Sequence, residues 1–70
     1  MNIKLNLVSD VYAFIEAAQK HPSEVTLSQG TYTVDGKSIL GVFALNLVDV
    51  VKCHTDDGNY DDFERFADRV

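Results

Sequence analysis

What most limits the fold of this chain is that its apolar residues change spacing repeatedly within 70 residues. Ile3, Leu5 and Leu7 alternate with Asn2, Lys4 and Asn6, the period-two pattern of a strand with one buried face. Val11, Phe14, Ile15 and Ala18 then share one face of a helix, with Ser9 or Asp10 placed to cap it. Pro22 stops that helix by disfavouring the helical region at His21. Val25 and Leu27, then Tyr32 and Val34, alternate about Gln29-Gly30 and predict two strands joined by a tight turn. Asp35-Gly36 turns the chain into a second apolar helical segment opened by Ser38. A fourth strand is expected between Leu47 and Cys53, but both parities are apolar there. Val48 and Val50 lie on one side and Leu47, Val51 and Cys53 on the other, so the pattern leaves its orientation open. After a turn at Asp56, Asp57, Gly58 and Asn59, the residues Tyr60, Phe63, Phe66, Ala67 and Val70 predict a last amphipathic helix. Asp61 and Asp62 in its first turn and Arg65 and Arg69 near its end complement its dipole.

The order strand, helix, strand, strand, helix, strand, helix predicts a two-layer α+β domain, a four-stranded antiparallel sheet with three helices on one face. A ferredoxin-like split βαβ unit is the generic form of that pattern. A chain of this size buries only about 60% of its unfolded surface and supports one small core, so residues 1–70 are read as a single domain. Leu5, Val11, Phe14, Ile15, Val25, Leu27, Phe63 and Phe66 are the expected core. The single cysteine excludes an internal disulfide. No charged start followed by an apolar run marks a secretory signal or a membrane span, and a cytoplasmic location is expected. A net charge of −5 argues against a binder of nucleic-acid phosphates or of an acidic membrane surface, which leaves proteins as the expected partners.

Residues 35–46, DGKSILGVFALN, carry the most specific chemistry. The side chain of Ser38 is placed to cap backbone N–H groups that a helix start leaves unpaired, where the positive end of the helix dipole favours negative charge. Gly36, Lys37 and Ser38 also match the tail of a nucleotide-binding P-loop, but that motif requires glycine at position 31, which is Thr31, and Gly30 falls one residue early. Ile39, Leu40, Val42, Phe43 and Leu45 are more apolar residues than one buried face needs, so part of this helix is expected to stay exposed as a contact surface. Gly41 in mid-helix lowers intrinsic helix stability and points to a packing or contact requirement.

The run Lys37, Ser38, Ile39, Leu40, Gly41, Val42 resembles the K-S-I-M-G-V run at the second helix of the HPr family, phosphocarriers of the bacterial sugar phosphotransferase system. The resemblance extends from about residue 11 to the C-terminus. Ala17, Ala18 and Lys20 end the first helix as the family's do, and the spacing from Lys20 to Ser38 matches without a gap. It implies an HPr-like open-faced sandwich, Ser38 as a regulatory phosphorylation site, and partner contacts at Lys37, Ile39, Leu40 and Phe43. In the family those partners include phosphotransferase enzymes and, after serine phosphorylation, a transcriptional repressor. Where the family carries its phosphoryl group on the histidine of an H-A-R-P run, this chain has Val8, Ser9, Asp10 and Val11. Without that imidazole and guanidinium, phosphocarrier activity is not expected, nor any other catalysis or cofactor. The remaining alternatives are a structural or interaction subunit in which Ser38 is only a helix cap, and an active phosphocarrier without its histidine.

Other polar residues read as structural. His21, at a helix end, complements the dipole when charged, and His54 has a similar standing. Cys53 and His54 are adjacent on a strand and point to opposite faces, so one metal ion cannot easily take both. Asp56 and Asp57 lack the ligand spacing of a calcium loop and read as a solvated turn.

Overall fold

The computed structural model describes residues 1–68. Its elements are β1 (Asn2–Ile3), α1 (Val8–Lys20), β2 (Val25–Gln29), β3 (Tyr32–Asp35), α2 (Ile39–Phe43), β4 (Val51–Thr55) and a C-terminal 3-10 helix (Asp61–Phe66). The strands form one antiparallel sheet in the order β1-β4-β2-β3. β1 and β2 therefore run parallel with β4 between them, and β3 and β4 run parallel with β2 between them. The crossovers through α1 and α2 each span one intervening strand, on the same side of the sheet.

That side is set by the strand pleat. Val25 and Leu27 of β2 and Val51, Cys53 and Thr55 of β4 are buried beneath the helices, while Lys52 and His54 face solvent. The fourth strand thus begins later than the apolar run suggests. Its register, Leu27 opposite Cys53 and Val25 opposite Thr55, fixes which parity faces inward. Leu47 and Val48 lie in the loop before it. The hairpin turn falls at Gly30-Thr31, one residue beyond the expected centre, with Gly30 at φ +59°.

All of the expected core residues are buried, joined by Ile3, Ala18, Val42, Leu45, Val51 and Cys53. The Phe14 ring lies 5.1 Å from Phe63 and 5.5 Å, edge-on, from Phe66, locking α1 to the C-terminal helix. That last element is a 3-10 helix rather than the expected α-helix. Phe63 and Phe66 are three residues apart, so a three-residue turn stacks both on Phe14. Asp61, Asp62 and Arg65 stand at the ends of this helix as expected, whereas Arg69 and Val70 lie outside the described residues.

The first strand is also shorter than its alternation predicts. Asn2 and Ile3 pair with β4, extended by Met1, which exchanges backbone hydrogen bonds with Cys53; Leu5 still reaches the core, and Leu7 is exposed at the N-cap of α1. The helix is not capped by Ser9 or Asp10. Asp10 sits in its first turn and its carboxylate accepts the Leu7 N–H at 3.1 Å, starting the helix earlier than expected. α1 ends at Lys20 with extended backbone at His21, as Pro22 requires. Residues 66–68 hydrogen-bond along β1, Lys4 N–H to Phe66 O at 2.9 Å and Asp68 N–H to Asn2 O at 2.8 Å, which covers that sheet edge.

Candidate functional site

The turn before α2 is held by its own polar groups. The Asp35 carboxylate accepts the Lys37 N–H at 2.9 Å, and the Asp35 carbonyl accepts the Ser38 N–H at 3.1 Å. Ser38 is the N-cap of α2, and its hydroxyl oxygen accepts the Gly41 N–H at 3.2 Å. The helix it starts has five residues, much less than the apolar run suggests. Gly41 sits in a tight place: a Cβ there would lie 3.3 Å from both the Asp35 carbonyl oxygen and the Val34 side chain, so those neighbours would have to give by a few tenths of an ångström.

Lys37 and Ser38 are adjacent in sequence but work on different helices. The Lys37 ammonium donates to the His21 carbonyl at 2.8 Å, which satisfies a carbonyl at the end of α1. Gln19 reaches back and donates to the Lys37 carbonyl at 3.2 Å. The ammonium is therefore committed to α1 and is not held over the Ser38 hydroxyl.

On α2, Val42 is buried and Ile39, Leu40 and Phe43 are exposed, Leu40 to 81%. These residues join a wider apolar face. Tyr12 of α1 meets Phe43 edge-on with centroids 5.9 Å apart, and Val8 lies one turn before Tyr12. Leu7, Val8, Leu47 and Val48 then line an open cleft of about 430 Å³ between the start of α1 and the loop after α2. Leu5, Val11 and Leu45 form its floor and Lys4, Asn6 and Asn46 its polar rim. Leu7, Val8, Tyr12 and Val48 were not singled out from the sequence. Their signal was present, because the inward stripe of α1 is already complete without Leu7, Val8 and Tyr12.

In the first turn of α1, Ser9 is exposed and the Asp10 carboxylate is engaged by backbone. The chain's histidines lie elsewhere. His54 is exposed on the open sheet face, 3.6 Å from Asp56. His21 does more than complement a helix dipole: its side chain is buried, with Nδ1 3.0 Å from Asp62 Oδ2 and Nε2 3.0 Å from Asp57 Oδ1. Hydrogen bonds to Asp62 and Asp57 raise the His21 pKa above its ordinary value. Asp57 is correspondingly not a merely solvated turn residue. The Asn59 backbone N–H, then the His21 ring, hold its carboxyl down at about 2.

Cys53 is buried beneath the helices, and burial pushes its thiol up to about 11, which makes it a poor nucleophile. Among the described residues no group of three or more His, Cys, Asp or Glu side chains is arranged to hold a metal ion. No helix of the described residues is long and apolar enough to cross a membrane. Comparison with protein families, curated proteins and solved structures found no match to this chain.

Proposed function

We propose that the chain is a small regulatory protein-binding module of HPr type that docks a partner protein through its apolar face and is controlled by phosphorylation of Ser38. The observation that carries this reading is the set of exposed apolar side chains Leu7, Val8, Tyr12, Leu40, Phe43 and Val48 from three separate segments, with Tyr12 against Phe43 and Leu7, Val8 and Val48 around one cleft. A small domain with little stability to spare gains nothing in folding from so much uncovered apolar area. The partner this face fits is a protein presenting an apolar, largely uncharged contact surface. Among the described residues the cleft is lined by a single basic side chain, Lys4, too little to select nucleic acid or anionic lipid, and the chain's net charge of −5 opposes both.

Ser38 borders this face between Lys37 and Ile39. A phosphate there would keep the capping role through its own oxygens and add negative charge beside Leu40 and Phe43, altering docking while leaving the fold intact. In this reading the module relays no phosphoryl group, because neither histidine stands at the start of α1.

The test is to incubate the protein with an HPr-type serine kinase and ATP, with an authentic HPr in the same tube, and to weigh both. One phosphate on the wild type and none on Ser38→Ala is expected. An unlabelled wild type beside a labelled HPr removes the regulatory reading. The interaction-subunit reading then takes its place, favoured by the Gly41 hydrogen bond, which by itself accounts for a serine at this position.

A further inference from the structure

The C-terminal end of α1 holds an unusual polar arrangement. The His21 ring leaves α1 at its C-terminus and is enclosed, with no exposed side-chain area, between two carboxylates from different parts of the C-terminal segment. Asp57 belongs to the turn after β4 and Asp62 to the 3-10 helix, and the ring also lies 5.4 Å from Phe63. A neutral imidazole has one N–H and can donate to only one carboxylate. Its other nitrogen would then present a lone pair to a carboxylate oxygen 3.0 Å away, acceptor against acceptor, on a ring that is itself covered although both carboxylates are partly exposed. Only the doubly protonated ring satisfies both contacts.

We propose that His21 is a protonation-controlled latch: with both ring nitrogens protonated it holds the turn at Asp57 and the 3-10 helix against α1, and loss of one ring proton to solvent frees this segment to open locally. The groups that face the latch agree with that assignment. From the turn before α2, the Lys37 ammonium bonds the His21 carbonyl rather than either carboxylate, and among the described residues it does not replace the imidazolium between them. On α1, the neighbouring Lys20 is paired with Glu16 at 3.1 Å. Arg65, Lys20 and Glu16 border Asp62 on its solvent side. Asp57 is further fixed by the Asn59 N–H, and its own N–H donates to Ser23 at 3.3 Å. Deprotonation takes the trio from one net negative charge to two, with the carboxylates still held close together. The raised pKa of His21 places this event on the alkaline side of its ordinary value.

The experiment uses the full chain labelled with nitrogen-15. A long-range proton–nitrogen correlation at pH 7 should show both His21 ring nitrogens protonated. Amide exchange, corrected for its intrinsic pH dependence, should show residues 61–66 opening more often as pH rises through the ring's titration, by up to about tenfold per pH unit, the limit for release of one proton. Amides of β2 and β4 should keep their protection over the same range. Asp57→Asn, at a partly exposed position, should lower the pH at which opening begins. A neutral His21 ring at pH 7 would overturn the proposal. So would pH-independent exchange in residues 61–66, or loss of protection in β2 and β4 in parallel with them.

Discussion

Gly36 lies so close to Val25 that a Cβ at position 36 would stand 2.8 Å from Val25 Cγ1 and 3.1 Å from the Val25 carbonyl oxygen. The approach is imposed by a 2.8 Å hydrogen bond from the Gly36 N–H to that carbonyl, which ties the turn before Ser38 to the start of β2. Gly36→Ala must therefore shift backbone or a buried valine. A loss of about 1–3 kcal/mol is expected from urea denaturation, the range for overpacking a closed site. Gly30→Asn is the control: Gly30 has open space around its Cβ position, and asparagine tolerates its positive φ.

Phe14→Ala should cost about 3–5 kcal/mol, since it removes the ring on which both Phe63 and Phe66 rest. In a domain this small such a loss approaches the whole stability. The expected readout is a collapse of the thermal transition and loss of near-ultraviolet dichroism, with partial recovery in Phe14→Leu.

Ser38→Ala removes the acceptor for the Gly41 N–H and should lower stability by about 0.5–2 kcal/mol. Ser38→Asp should restore most of this, because a carboxylate can accept the same bond. Exchange of the Gly41 amide is the local measurement. It should speed up in the alanine variant and return toward wild type in the aspartate variant.

Stability should fall on both sides of a plateau in pH. Asp57 has its pKa lowered to about 2, so its contribution is present above the ordinary carboxylate value of 3.8 and disappears as pH falls through about 2. His21 has a raised pKa, so its contribution is complete below 6.5 and is lost as pH rises through the higher folded-state value. Urea midpoints between these limits should be the highest. Asp57→Asn should flatten the acid side, and an unchanged acid side in that variant would show that other carboxylates control it.

Leu40→Glu and Val48→Glu should leave the urea midpoint within about 0.5 kcal/mol of wild type, because both side chains stand largely in solvent. Either should weaken binding of the partner protein by tenfold or more, or slow labelling by the serine kinase to a similar degree. Lys52→Glu, on the opposite, open sheet face, should change neither.

The apolar spacing by itself determined the order of elements, the α+β class and eight residues of the core, from Leu5 to Phe66. It could do so because the geometry of a strand or a helix decides locally which side chains share a face. The cap at Ser38 and the stop at Pro22 were legible for the same reason: each acts on backbone within four residues of itself. Tertiary structure decided everything that depends on a distant partner. The parity of β4 follows from pairing with β2. The last helix tightens to a 3-10 turn because Phe63 and Phe66 must both meet Phe14. His21 finds its carboxylates 41 and 36 residues away, and no local pattern marks such a pair. The exposed apolar face likewise comes from three segments whose residues each look like ordinary excess hydrophobes, and only folding places them side by side, because adjacency across a surface is a property of the packed chain and not of spacing along it.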